Sequence, residues 1–267
     1  MKILITGGTG TIGSAIAERL KGLDAETIVI MSNDEDGLYH ARKRFGGGVY
    51  QYVHADVRDL ERMHAITEKV DLVFHCAAMK HIPACEENPA EAVKTNIMGT
   101  SNVISACKRN RCHLILISTD KAVYPISTMG VTKSLAEKLV LEAGYRVVRF
   151  GNVLNSRGSV IPLWRKQAQA GDNVTITDKR MMRYFMTISE AVDLILWTWR
   201  EGKSGYIHIK DMKELMIFDL AKEIADEYGV EVVETGIRSG EKLREKLMTD
   251  EEQERSEVVG EYILVRA

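Results

Sequence analysis

The chain carries an acid and two amines within one short stretch, residues 115–133. This stretch begins as a run of branched apolar residues, typical of a buried parallel strand, and breaks at Ser118 into polar and small residues. Ligands of open α/β sheets bind beyond the carboxyl ends of the strands. We therefore expect a bound substrate to face the residues at this break, which are Ser118, Thr119, Asp120 and Lys121.

An acid beside an amine can give and take protons in one reaction, provided that the surroundings hold each group in its working protonation state. The pair Asp120 and Lys121 therefore predicts proton-transfer chemistry, and a structural ion pair is the alternative. After Pro125 the sequence predicts a helix, on which Met129 and Lys133 share one face because they lie four residues apart. The stretch thus reads as a strand end followed by a helix start, both carrying ionisable groups.

A glycine-rich turn near the N-terminus predicts a binding site for a dinucleotide. Lys2 to Thr6 reads as a buried strand, and glycines at 7, 10 and 13 lead directly into a helical pattern. These glycines let the backbone turn tightly, let a pyrophosphate approach the helix N-terminus, and let that helix pack closely on the sheet. A glycine turn without a ligand is the alternative.

The second predicted strand, Glu26 to Met31, ends where the adenosine ribose of such a cofactor should lie. An acid at the tip would favour NAD, but the tip is Ser32 followed by Asn33, and the acids begin at Asp34, at a predicted helix start. The basic residues 42–44 follow on that helix, and one of them could reach a 2′-phosphate, with a solvent-exposed helix face as the alternative. These features favour NADP, with NAD as the second choice.

Further along, two predicted strands, Val49 to His54 and Asp71 to His75, end in residues that suit a dinucleotide. Asp56 is a candidate for the adenine edge, and the small residues Ala77 and Ala78 would let a cofactor lie against the backbone. Asp59 is predicted to cap the helix that follows it.

A long helix is predicted from about Pro89 to Lys108. Asn96 in the middle of it suggests a polar tie inside the site, and an asparagine on the helix surface is the alternative.

Strand and helix alternate six times with short connections, and Arg146 to Phe150 is the sixth strand. This pattern predicts an α/β fold with a doubly wound parallel (Rossmann) sheet. We predict a dinucleotide-binding core over residues 1–152 and a smaller substrate-binding part over residues 153–267, with some elements returning to the core. Four side chains in this second part could hold a diphosphate, with ordinary surface arginines as the alternative: Asn155, Arg157, Arg180 and Arg183.

Composition excludes several classes of function. The net charge is −2, from 36 basic and 38 acidic residues, which leaves no basic stripe for nucleic acid or anionic lipid. The four cysteines lack metal-ligand spacing and suit free thiols in a reducing cytosol, so no metal is expected. No stretch approaches the ~18 apolar residues of a membrane span. We expect a cytoplasmic protein without a nucleic-acid or membrane partner.

Taken together, these segments resemble the extended short-chain dehydrogenase/reductases, and among them the UDP-N-acetylglucosamine 4,6-dehydratases of polysaccharide biosynthesis. The resemblance covers nearly the whole chain. The segments that carry it are T-G-G-T-G-T-I-G at 6–13, A-D-V-R-D at 55–59, A-A-M-K-H-I-P at 77–83, N-P-A-E-A-V-K-T-N at 88–96, S-T-D-K-A at 118–122, M-G-V-T-K at 129–133, G-N-V-L-N-S-R-G-S-V-I-P at 151–162 and G-I-R-S-G-E-K-L at 236–243. S-T-D-K-A followed by M-G-V-T-K is specific to the dehydratase branch.

The resemblance implies a reaction on a UDP-sugar and a tightly held NADP. The sugar C4 hydroxyl is oxidised, the C5 proton and the C6 hydroxyl are lost, and hydride returns to C6, so the cofactor ends as it began. Lys121 is then the base at C5 and Asp120 the acid at the C6 hydroxyl, while Ser118 or Thr119 orients the C4 oxygen. A homo-oligomer, dimer or hexamer, is also implied.

The resemblance also implies binding residues. The implied cofactor-binding residues are Gly7, Thr9, Gly10, Thr11, Ile12, Gly13, Ser32, Asn33, Asp34, Asp56, Val57, Ala77, Ala78, Lys80, Asn96 and Lys133. The implied substrate-binding residues are His81, Asn152, Asn155, Ser159, Val160, Arg183, Arg238 and Glu241.

The chain departs from the wider superfamily at two important positions. Met129 stands where most members have the catalytic Tyr, which leaves the base for the C4 hydroxyl open among Lys133, Asp120 and Tyr124. Asn33 stands where relatives tend to have Arg, which weakens the case for NADP. Two other functions stay open: a nucleotide-sugar 4-epimerase, and a nucleotide-binding protein that has lost catalysis.

Overall fold

The structure is a computed structural model, which describes residues 1–23 and 25–267. The strands are β1 Lys2–Thr6, β2 Thr27–Ser32, β3 Tyr50–His54, β4 Leu72–His75, β5 His113–Thr119, β6 Arg146–Phe150, β7 Asn152–Val153, β8 Val174–Ile176, β9 Met182–Met186, β10 Tyr206–Lys210, β11 Lys213–Met216, β12 Val232–Glu234, β13 Ser256–Val259 and β14 Tyr262–Arg266. The α-helices are α1 Thr11–Leu20, α2 Glu35–Phe45, α3 Leu60–Ile66, α4 Ile82–Glu87, α5 Pro89–Ala92, α6 Gly99–Asn110, α7 Thr128–Glu142, α8 Val160–Gln169, α9 Ile188–Glu201, α10 Ile217–Tyr228 and α11 Asp250–Glu254. A π-helical segment covers Val93–Met98, and a 3₁₀ turn covers Asp120–Ala122.

The central sheet has the strand order β13-β14-β10-β6-β5-β4-β1-β2-β3. The seven strands from β10 to β3 run parallel, and β14 and β13 add antiparallel pairs at one edge. Strands β1, β2, β4 and β5 are rich in branched apolar residues and largely buried, because helices cover both faces of the sheet. The predicted doubly wound parallel sheet is confirmed, and the chain crosses over between β1 and β4, where such folds bind ligands.

The predicted strands agree with the observed ones to within one or two residues, with two small corrections at the central stretch. Strand β5 continues through Ser118 to Thr119 rather than breaking at Ser118. Helix α7 begins at Thr128, capped by the Ser127 side chain, three residues after Pro125. The predicted cap of α3 by Asp59 is confirmed by its bond from the Arg62 amide.

Beyond β6 the chain builds a smaller layer. Two short sheets, ordered β11-β9-β7 and β12-β8, pack with α8 and α10 around the buried Trp164. Strands β10, β14 and β13 then return to the central sheet. Among the residues that the structure describes, no helix is both long and apolar enough to cross a membrane, and no three acidic, histidine or cysteine side chains gather as metal ligands.

Candidate active site

The end of β5 places an acid and an amine in direct contact. Lys121 Nζ lies 2.9 Å from Asp120 Oδ1, and the Thr119 hydroxyl donates to the same oxygen at 2.9 Å. Lys121 Nζ also donates to Asn152 Oδ1 at 3.0 Å, which ties β5 to the start of β7. Asp120 is fully buried, while the Lys121 side chain keeps 17% of its surface exposed. Four of the residues predicted from the sequence therefore meet at one point.

Two oxygens at this point are buried without a hydrogen-bond partner in the described part of the chain, Asp120 Oδ2 and Ser118 Oγ. A buried polar atom without a partner costs about 1–3 kcal/mol. Such atoms are expected where a ligand completes the bonding, as a sugar hydroxyl would do here.

Lys133 lies behind this pair on α7. Its ammonium donates to the Ile117 carbonyl at 2.6 Å, and the side chain is buried. Burial lowers the pKa of Lys133 to about 8, against the opposing charge of Glu137 one turn away. The helix lies so close to the Asp120–Ala122 turn that a β-carbon at Gly130 would collide with the Lys121 carbonyl oxygen.

The position of the superfamily tyrosine is filled by an apolar side chain. Met129 is buried and packs against Cys85, Ala92 and their neighbours. The Tyr124 oxygen accepts a bond from the Asp250 amide at 3.0 Å, and the Tyr124 backbone is left-handed, with φ of 43°. The base for the C4 hydroxyl stays open among Lys133, Asp120 and Tyr124.

The glycine turn forms a cradle that fits a dinucleotide phosphate. Gly7 has φ of 62°, and a β-carbon on it would lie 2.8 Å from Ala77 Cα. A β-carbon on Gly13 would lie 2.6 Å from the Gly7 carbonyl oxygen, so α1 packs directly on the turn. A β-carbon on Gly10, the N-cap of α1, would meet only that same oxygen, at 3.2 Å. Gly10 also has no side chain that could accept a bond from the first backbone amides of the helix. The helix N-terminus is therefore open to an anion.

At the tip of β2 the predicted ribose-binding residues are already linked to one another. Ser32 Oγ accepts bonds from the Thr9 hydroxyl and the Asp34 amide, and Asp34 caps α2 through the Gly37 amide. Asn33 donates to Asp56 Oδ2 at 3.3 Å.

The basic residues of α2 do not reach the tip of β2. Arg44 pairs with Glu18, while Arg42 and Lys43 lie over the rings of Tyr52 and Tyr39. All three side chains are exposed, so the contacts favour the interpretation of residues 42–44 as a solvent-exposed helix face over a role in binding a 2′-phosphate.

The loop after β4 is held by Asn96. Its amide accepts from the Met79 N–H at 2.8 Å and donates to the Met79 carbonyl and the Thr132 hydroxyl, each at 3.0 Å. Asn96 is buried within the π-helical segment, so the predicted polar tie is confirmed and a helix-surface asparagine is excluded.

A family model described as "Polysaccharide biosynthesis protein" matches residues 3–267. The chain belongs to this polysaccharide biosynthesis family. An uncharacterized membrane protein of Methanocaldococcus jannaschii is 43% identical over 94% of this chain and 81% of its own length.

A UDP-glucose 4-epimerase of Rickettsia canadensis is 37% identical over 97% of this chain and 81% of its own. The X-ray structure of Pen from Bacillus thuringiensis has a TM-score of 0.97 at 33% identity, covering 100% of this chain and 89% of Pen. The fold is therefore shared across the whole chain with a solved member of similar sequence.

In this member of the polysaccharide biosynthesis family, the three arginines that were expected to hold a diphosphate each contact other groups of the protein. Arg180 pairs with Asp178 at 2.6 Å, and the buried Arg183 donates to the carbonyls of residues 182, 242 and 243. Arg157 lies at the glycine turn, with its guanidinium 3.7 Å from Asp34. Each of the three guanidinium groups therefore contacts different acceptors.

The remaining predicted substrate-side residues lie on loops around the sheet edge. Asn155 has a left-handed backbone, with φ of 56°, and Ser159 and Val160 begin α8. The Arg238 amide donates to Glu241 in the glycine-flanked turn at 236–240. A β-carbon on Gly158 would lie 2.6 Å from the ring of His81, so that histidine packs on the loop carrying Asn155.

Sequence reasoning missed two groups that position the site. Arg149 in β6 is buried and donates to Glu137, Glu252 and the Leu247 carbonyl, which ties α7 and the C-terminal segment to the sheet. A charged residue within a predicted buried strand is the signal for such a network, because a buried charge needs partners.

The second group is a lysine beside the turn at Asp120–Ala122. Lys242 donates to the Val123 carbonyl at 2.8 Å and to Glu245 at 2.7 Å, which docks the turn at 236–240 beside Asp120–Ala122. No local signal marks this contact, since it joins positions 119 residues apart.

Proposed function

We propose that the protein is a nucleotide-sugar 4,6-dehydratase that acts on UDP-N-acetylglucosamine with bound NADP. The contact between Lys121 and Asp120 at the carboxyl end of β5, with a buried and unpartnered Asp120 Oδ2, carries the proposal. A dehydration needs a base at C5 and an acid at the C6 oxygen in the same place, and this pair supplies both.

The roles follow from the contacts. A bound nicotinamide dinucleotide would supply the reversible hydride chemistry, taking hydride from C4 and returning it at C6. When the shared proton of the pair lies on Asp120, Lys121 is a free amine and can take the C5 proton that the C4 ketone has made acidic. Asp120 then gives its proton to the C6 oxygen, the C–O bond breaks, and water leaves. Lys121 returns its proton to C5 when hydride returns to C6, and the proton released from the C4 hydroxyl restores the shared proton of the pair. Asn152 and Thr119 hold the pair in register through their bonds to Lys121 and Asp120.

The experiment is to incubate the purified protein with UDP-N-acetylglucosamine and measure the product mass. Loss of one water supports the dehydratase. The Lys121→Met variant is the matched control, since it keeps an unbranched side chain that ends at Cε and removes the amine.

A 4-epimerase is the second candidate, because the Rickettsia canadensis relative carries that name. An epimerase needs neither a base at C5 nor an acid at C6, so the paired Asp120 and Lys121 favour the dehydratase. Unchanged mass with inverted configuration at C4 would identify the epimerase. Bound nucleotide without turnover would identify a binding protein.

We also propose a homo-oligomer. Four apolar side chains on α7 and the neighbouring helical segments remain 40–55% exposed: Val93, Met98, Val131 and Leu135. A second copy of the chain would bury them. Leu135→Glu is expected to lower the mass measured by light scattering, and an unchanged mass would place the interface elsewhere.

A cytoplasmic location is proposed on the basis of the cysteines. In the described ranges, Cys76, Cys85, Cys107 and Cys112 are all free thiols, as expected in a reducing compartment.

A further inference from the structure

The loop between β7 and α8 crosses from the substrate side to the glycine turn, and its backbone is fixed there. The Arg157 amide donates to the Thr11 hydroxyl at 2.9 Å, and Lys80 Nζ donates to the Arg157 carbonyl at 2.6 Å. The next residue, Gly158, has φ of 72°, and the ring of His81 fills the space where a side chain would begin. Three separate contacts therefore hold Arg157 beside the first turn of α1.

The Arg157 side chain, in contrast, is open to solvent. Its guanidinium lies 3.7 Å from Asp34 Oδ2 and is 78% exposed. The other Asp34 oxygen is used to cap α2 through the Gly37 amide at 2.9 Å. Because the backbone is anchored, only the side-chain rotamers of Arg157 remain to be fixed when an anion binds to its guanidinium.

This guanidinium lies at the tip of β2, where the adenosine ribose of a bound dinucleotide is placed. The other groups at the tip are already engaged. Asn33 donates to Asp56, and Arg58 pairs with both Asp56 and Glu91. Arg157 is paired more loosely than Arg58, at 3.7 Å from its carboxylate against 2.6 and 2.9 Å, so Arg157 is the cation that a 2′-phosphate on the ribose would contact.

We propose that Arg157 binds the 2′-phosphate of NADP and thereby sets the preference for NADP over NAD. The inference rests on the proposed function to the extent that a dinucleotide binds at the glycine turn. It replaces the expected role of Arg157 in holding the substrate diphosphate. It also explains how a chain with Asn33 at the strand tip can select NADP: the cation comes from a position 124 residues later in the sequence.

Asp34 opposes this selection. Its carboxylate would repel a 2′-phosphate and could instead accept a bond from a ribose hydroxyl. Arg157 offsets this repulsion because its guanidinium lies 3.7 Å from the Asp34 carboxylate. The balance between these two side chains therefore decides which dinucleotide binds more tightly.

The test compares dissociation constants of NADP and NAD, measured by calorimetry on protein stripped of nucleotide with charcoal. Arg157→Ala is expected to weaken NADP binding roughly tenfold to a hundredfold, the range of a charge-assisted bond, and to change NAD binding less than about threefold. Arg157→Lys should recover part of the NADP affinity, because it restores the charge without the planar fork. Asp34→Asn keeps the oxygen that caps α2 and should tighten NADP binding.

An equal loss of both dinucleotides in Arg157→Ala, or no loss of NADP, would overturn the inference. Parent protein that binds NAD more tightly than NADP would also overturn it. Because the readout is binding, a parent that selects NADP but does not dehydrate UDP-N-acetylglucosamine would refute the proposed function and leave this inference standing. An unchanged unfolding transition in Arg157→Ala confirms that the exposed side chain does not support the fold.

Discussion

Replacing Lys133 by Met is expected to keep or raise the stability of the protein at pH 7 and to lower its turnover strongly. The Lys133 ammonium is buried, and burial lowers its pKa from 10.5 to about 8. One pKa unit corresponds to about 1.4 kcal/mol, so keeping this charge in the folded state at pH 7 costs roughly 3 kcal/mol. Met removes that cost but leaves the Ile117 carbonyl without its donor, which costs about 1–3 kcal/mol. Lys133→Met should therefore be between equal to the parent and about 2 kcal/mol more stable at pH 7.

The difference should depend on pH in a defined direction. Between pH 8 and 10.5 the folded parent has released the Lys133 proton while the unfolded chain still holds it. The unfolded state binds more protons, so the stability of the parent rises with pH across this window. The advantage of Lys133→Met should shrink over the same window and reverse above it.

The assay combines urea unfolding from pH 7 to 10.5 with turnover of UDP-N-acetylglucosamine. Turnover should fall by ~10²–10⁴, as for loss of a positioned proton carrier. Met129→Leu is the matched control, because it is similar in volume and equally unable to carry protons, and should lose less than about tenfold.

A Lys133→Met protein that is several kcal/mol less stable than the parent at every pH would refute the reasoning, since the lysine would then support the fold. Full activity in that variant would remove Lys133 from the reaction. A collapse of activity in Met129→Leu would show that the methionine acts through its shape or its sulfur, and recovery of an inactive parent by Met129→Tyr would favour a protein that has lost catalysis.

Three further predictions concern the remaining groups of the site. Lys121→Met should lose both dehydration and solvent-deuterium incorporation at C5, measured by mass spectrometry, whereas Asp120→Asn should slow elimination more than C4 oxidation; undiminished incorporation in Lys121→Met would exclude this lysine as the base. Gly13→Ala should destabilise the folded protein by about 1–3 kcal/mol, because its β-carbon would lie 2.6 Å from the Gly7 carbonyl oxygen. Gly10→Ala, in contrast, should keep the unfolding midpoint of the parent and lose affinity for NADP. His75 is buried, and desolvation lowers its pKa from 6.5 to about 3. As pH falls from 6.5 towards 3 the unfolded state binds this proton before the folded state does, so up to about 5 kcal/mol of stability should be lost. An imidazole ring that titrates near 6.5 by NMR would contradict this.

The sequence alone determined the parallel sheet, the glycine turn and the acid–amine pair at the end of β5. Each of these is a local property: a run of branched apolar residues, three glycines at fixed spacing, or two ionisable residues side by side. The strand ends then had to meet, because the carboxyl ends of parallel strands share one edge of the sheet. Asn96 was also recognisable locally, since an asparagine within a predicted helix needs a reason to be there.

Only the tertiary structure decided where the arginines lie and what they contact. Arg149 finds Glu252 across 103 positions, Arg183 finds the carbonyls near residue 242, and Arg157 leaves the substrate side for the glycine turn. Arginine is long, flexible and charged, so its partner is set by whichever acceptor the folded chain brings within reach. Spacing in the sequence carries no information about that acceptor. The contacts of these arginines, and the position of Arg157 beside the glycine turn on which its proposed role depends, are therefore known only from the tertiary structure.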